Sequence, residues 1–123
     1  MTRICLLVLC GLGLLSASGR AAETIDLRVR TARDLAALCA APPNTAGADA
    51  KINFCHGFAQ GAVDVRMRMP ADKKPFCFPT PAPKRSATMN EFVGWVRSMP
   101  ANGDMPALDG LFKFLGDRFP CKS

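Results

Sequence analysis

The chain has 123 residues, of which 49% are hydrophobic and 21% charged, and a formal net charge of +6. That length suits one domain with a modest core, and no second domain is visible in the sequence. The excess of Lys and Arg suits an acidic partner or an anionic surface, and six cysteines in so short a chain raise the question of compartment.

Met1-Thr2-Arg3 followed by the apolar run from Ile4 to Leu15 has the form of a secretory signal peptide. The run is too short and too glycine-rich for a membrane span. Cleavage after Gly19 or after Ala21 fits the small residues there, so residues 1–21 are assigned to the signal and 22–123 to one mature domain. A lipoprotein signal at Cys10 or an uncleaved anchor is the rival, although Leu9 is bulky where a lipoprotein signal wants a small residue. Cleavage removes Arg3 and Arg20 and lowers the charge to +4. It also removes Cys5 and Cys10, leaving Cys39, Cys55, Cys77 and Cys121. An even cysteine count in a short exported chain reads as a disulfide framework in the periplasm.

Ile25, Leu27 and Val29 alternate with Asp26, Arg28 and Arg30, the pattern of an extended lead-in. Thr31 and Asp34 form a capping-box pair for a first helix whose apolar face is Leu35, Leu38 and Cys39 and which Pro42-Pro43 ends. Residues 42–52 read as a loop. Asn53 then caps a central helix, with Phe54, Phe58, Gly61, Ala62, Val65 and Met69 at helical spacing and Pro70 as its stop. Gly57 and Gly61 on this helix predict the close approach of another backbone.

Five prolines between Pro70 and Pro83 make an extended stretch around Phe76-Cys77-Phe78. A third helix is expected from Thr88, with Glu91 as its capping partner and Phe92, Val93, Val96 and Met99 as its apolar stripe beside Trp95. Pro100 to Gly103 read as a turn. Asp104 then caps a fourth helix bearing Leu108, Leu111, Phe112, Leu115 and Phe119. The expected fold is all-α, a small bundle of about four helices. An antiparallel hairpin of the first two helices brings Cys39 to Cys55, and an up-and-down order delivers Cys121 to Cys77. Crossed pairings would have to span the length of a helix.

Catalysis finds no support in the residues. Cys55 and His56 are adjacent on a helix, so their side chains diverge by about 100°. The chain has no nucleophile elbow, phosphate loop or metal-ligand spacing, and His56 is its one histidine. No cofactor or metal is expected. The informative feature is charge: Arg66, Arg68, Lys73, Lys74, Lys84 and Arg85 crowd into a stretch whose one acid is Asp72. Such a stretch is either a solvated surface or a patch for an acidic protein, a membrane surface or a cell-wall polymer. Nucleic acid is a poor third choice, because no groove-reading motif is present.

The segments Leu35-Ala36-Ala37-Leu38-Cys39, Cys55-His56-Gly57-Phe58-Ala59-Gln60-Gly61-Ala62-Val63-Asp64, Phe76-Cys77-Phe78-Pro79 and Phe119-Pro120-Cys121 together resemble the Rap/Tai family of type VI secretion immunity proteins. The resemblance covers nearly all of the mature chain, with Phe58 standing where tyrosine is common. It implies a small helical periplasmic protein, often dimeric, that binds a peptidoglycan amidase toxin and covers its cysteine–histidine cleft with a helix and a loop. The four cysteines, Gly57, Gly61 and Asp64 carry over as framework, with Asp64 a buried or capping acid. The expected contacts with the toxin are a loop tip at Asn102-Gly103 and the cations Arg66, Arg68, Lys73 and Lys74. The alternative is a non-catalytic envelope protein that binds anionic membrane or cell wall through its basic face.

Overall fold

In the computed structural model the described residues are Gly19 and 24–122, so the signal-peptide expectation lies almost wholly outside them. The lead-in is extended as its pattern predicts, with Ile25, Leu27 and Val29 half-buried and their neighbours exposed. Helix α1 (Ala32–Cys39) opens on the expected capping box. The Asp34 backbone N–H donates to Thr31 Oγ1 at 3.2 Å, and the Thr31 backbone N–H donates to Asp34 Oδ2 at 2.9 Å.

The backbone N–H groups of Thr31 and Arg30 hold the Asp34 carboxyl below its ordinary pKa. A depressed carboxylate stabilises the fold at any pH above its unfolded value, near 4, and loses that contribution as pH falls through the lower folded value. Asp34→Ala should therefore cost about 1 kcal/mol at pH 7 and progressively less on acidification. Urea titrations of both proteins at a series of pH values measure this.

Helix α2 (Ala48–Met67) begins five residues before the expected Asn53 cap, which is an exposed position inside the helix. The start is set by Gly47, at φ 72°, where a Cβ would lie 2.8 Å from Ile25. Sequence periodicity carries no signal for that contact between the lead-in and the loop. The buried residues of α2 are Ala48, Cys55 and Ala59, while Phe54, Phe58 and Ala62 lie at the edge of the core and Val65 is 69% exposed. Asp64 is exposed, neither buried nor a cap, and accepts from Gln60 Nε2 at 2.7 Å.

The expected packing role of Gly57 and Gly61 is overturned. Among the described residues, nothing outside the adjoining turns of α2 lies within 4 Å of where either Cβ would stand. The close approach is elsewhere, between α1 and α5 (Ala107–Arg118). Ala32 N donates to Met105 O at 2.8 Å and Ala107 N to Arg30 O at 2.9 Å, pinning the starts of the two helices together. A Cβ on Gly110 would then lie 2.7 Å from the Ala32 Cβ. Gly110→Ala should cost about 1–3 kcal/mol through overpacking. Gly61→Ala should instead stabilise by about 1 kcal/mol through helix propensity. Paired chemical denaturation curves separate the two.

A short 3-10 turn (Ala71–Lys73) follows α2, and α3 spans Arg85–Ser98. The expected Thr88 cap is a buried residue within α3, its hydroxyl donating to Lys84 O at 3.3 Å. Lys84 takes the cap position, with no side-chain hydrogen bond. Met89 replaces Met99 in the buried stripe, beside Phe92, Val93 and Val96, because the stripe is shifted toward the helix start. The expected turn at 100–103 is a five-residue helix, α4 (Pro100–Asp104). In α5 the buried face is Ala107, Gly110, Leu111, Phe114 and Leu115, and Leu108 points outward, 45% exposed.

The short α1, not α2, is the hub: it contacts α2, α3, α4 and α5. Leu35 is fully buried on it. Two disulfides close the structure as expected, Cys39–Cys55 and Cys77–Cys121, with Cα–Cα distances of 5.1 and 4.8 Å. Among the described residues no helix is long and apolar enough to cross a membrane.

Candidate functional site: a basic flank and an apolar cleft

The two groups of expected contact residues fare differently. Asn102 and Gly103 are both buried and form no projecting tip. Asn102 Nδ2 donates to Trp95 O at 2.9 Å, and the Arg33 guanidinium lies against Gly103. Arg33 Nη2 also donates to Asp104 Oδ1 at 2.6 Å, so Asp104 ties α4 to α1 and does not cap α5. The turn prediction failed because Pro100 at the first helical position and a buried amide made a helix of a polar, glycine-containing stretch. Asn102 and Gly103 hold a corner of the fold.

The basic residues sit where α2 gives way to the proline-rich segment. Arg68 and Lys73 are exposed, and Lys74 is half-buried. Arg66 is partly committed to packing: its guanidinium lies 4.8 Å from the centre of the Phe112 ring, and Nη1 donates to Met69 Sδ at 3.1 Å. Phe112 stacks in turn on the buried Phe76, at 6.1 Å between ring centres. The flank is therefore anchored through Arg66 and presents Arg68 and Lys73 to solvent, with Lys74 half-buried beside them. None of these four cations forms an ion pair among the described residues.

The proline-rich segment is fastened from below. Cys77 N donates to Phe119 O at 2.8 Å beside the Cys77–Cys121 bond, and Phe78 meets the Phe119 ring edge-on at 5.2 Å. Fixed in this way, the segment forms one wall of a cleft of about 360 Å³ between α2 and α3. Leu111 and Leu115 of α5 line it, with Ala59 and Val63 on the α2 side and Met89 on the α3 side. Phe78 and Ala82 contribute from the proline-rich segment, and Gln60, Arg85 and Thr88 are the polar residues of the cleft. Of the apolar side chains, helical spacing marks only Leu111 and Leu115 as part of an apolar stripe. A second concavity, of about 240 Å³, is lined by Asp26, Arg28, Arg30 and Asp34. Its charges answer one another, since the Arg28 side chain donates twice to Asp26, at 3.0 and 2.9 Å, and holds that carboxyl down to about 2.

Cys55 is in a disulfide and carries no thiolate beside His56. Among the described residues no cluster of side chains has the composition of a metal site.

The family model of the Rap1a immunity proteins matches residues 31–121, from the Thr31 cap to the Cys121 staple. The chain belongs to that family. The match takes in α1 through α5, both disulfides, the basic flank and the cleft, so the Rap1a fold here is the whole helical body and not a part of it. No curated protein and no solved structure matches the chain. The Rap/Tai resemblance read from the cysteine-bearing motifs agrees with the family found.

Proposed function

We propose that this Rap1a-family chain is a periplasmic immunity protein that binds a type VI secretion peptidoglycan amidase and blocks its cleft by obstruction. The observation that carries this reading is the family match across the entire stapled domain. Two disulfides support an oxidising compartment. Inhibition by occlusion asks only for a rigid surface of suitable charge, and the flank of Arg66, Arg68, Lys73 and Lys74 supplies one. The exposed cations Arg68 and Lys73 steer an acidic surface toward them, chiefly at low salt.

The test is periplasmic co-expression with a candidate amidase, scored by growth and by binding of the purified proteins. The wild-type chain should rescue growth. Lys73→Glu with Lys74→Glu should slow association and flatten its salt dependence. Failure of the wild type to bind or rescue against the amidases tried, together with salt-sensitive binding to anionic vesicles, would favour an envelope-surface role instead.

A further inference from the structure

We propose that the cleft between α2 and α3 receives an aromatic side chain of the protein partner, with an adjoining carboxylate of that partner set against Arg85. This rests on the toxin-binding reading and names the anchor that reading lacks.

Size is the first argument. A cavity of about 150 Å³ suffices for benzene, and the cleft measures about 360 Å³. A single ring enters with room for the backbone that carries it. The lining suits a ring as well: half-buried Val63 and Phe78 offer apolar surface, and Ala59, Leu111, Leu115 and Met89 are the buried apolar residues of the lining. Binding energy in protein interfaces concentrates in buried aromatic anchors of this kind, while the surrounding polar contacts mainly exclude water.

Charge is the second argument. Of the polar side chains that line the cleft, two are bonded within the protein and Arg85 is the cation. Thr88 donates to Lys84 O, and Gln60 donates to Asp64. Arg85 is exposed and makes no ion pair among the described residues. Lys84 precedes it, and α3 begins there without a side-chain cap, which adds to the positive potential. The complementary ligand is therefore apolar at its centre and acidic at its edge. A free fatty acid shares that chemistry, but the partner under the toxin-binding reading is a protein, and its surface would also meet Lys84 and Arg85, both exposed at the start of α3.

The probe is the capped dipeptide acetyl-Phe-Glu-amide, titrated at millimolar concentration into the full folded domain with methyl NMR detection. Shifts should concentrate at Val63, Met89, Leu111 and Leu115. Acetyl-Phe-Lys-amide should bind about threefold more weakly, the scale of one exposed ion pair, and acetyl-Ser-Glu-amide should produce no shifts there. Ala82→Trp, at an exposed position on the wall, should plug the cleft, abolish the peptide shifts and weaken the amidase complex by about thirtyfold, the scale of one anchor. Absence of shifts with the Phe-Glu probe overturns the proposal, as does octanoate binding more tightly than the dipeptide, which would make the cleft a lipid site. Undiminished amidase binding by Ala82→Trp also overturns it while leaving immunity intact. A wild-type chain that binds no amidase removes the partner and the proposal together.

Discussion

Replacing Cys39 and Cys55 together by alanine is expected to cost about 3–5 kcal/mol, enough to unfold much of a marginally stable domain. Two effects add. The cysteines are 16 residues apart, and the chain-entropy model assigns about 3 kcal/mol to closing so short a loop. Cys55 is also fully buried, and its sulfur belongs to the small buried face of α2 along with Ala48 and Ala59. The other buried residues of α2 are two alanines, and its larger apolar side chains, Phe54 and Phe58, are only partly buried against the core. The Cys77–Cys121 bond closes a longer loop, with a separation of 44, and chain entropy alone gives about 4 kcal/mol. Both of its cysteines are exposed, so little packing is lost with it. Urea denaturation of the two double variants measures both costs. Alkylation of the Cys77/Cys121 variant should find no free thiol, since the remaining pair stays joined. A Cys39/Cys55 variant as stable as the parent would mean that α2 docks without its staple.

What the sequence made legible was largely local. The alternation at Ile25, Leu27 and Val29, the Thr31–Asp34 box and the cysteine order all depend on neighbours along the chain or on helix topology. The first two are visible in the structure as predicted, and the third gave the correct pairing. The misses share a cause in tertiary contact. Gly47 starts α2 because Ile25 crosses it, and Gly110 is small because Ala32 stands over it. Gly57 and Gly61 are helical glycines too, yet among the described residues no neighbouring element comes within 4 Å of where their Cβ would stand. Spacing shows where a helix has a gap in its side chains and does not show which gap is filled.

The candidate site was legible in its charge and not in its shape. A run of cations is visible in one dimension, and Arg68 and Lys73 do reach solvent. The loop tip was misread because Asn and Gly are turn formers by propensity, while here the Asn102 amide is bound to a carbonyl of α3 and Gly103 accommodates Arg33. The cleft had no local signal at all. Its lining comes from α2, α3, α5 and the proline-rich segment, and each residue in isolation is an ordinary core side chain.

The identity of the hub leads to the remaining large effect. Leu35→Ala should cost about 2–5 kcal/mol, whereas Val65→Ala should change stability by less than about 0.5 kcal/mol. Length and periodicity favour α2, with its 20 residues, as the organising helix over α1, with its 8. Burial reverses that order. Leu35 is 0% exposed on the helix that meets α2, α3, α4 and α5, so truncating it opens a cavity where several elements converge and none can close it alone. Val65 was placed on the apolar stripe of α2 by its spacing, yet it faces solvent at 69% exposure. Thermal and urea unfolding of both variants, with the disulfides left intact, gives the comparison directly. If Leu35→Ala unfolds near the wild-type midpoint while Val65→Ala falls well below it, α2 and not α1 organises this domain.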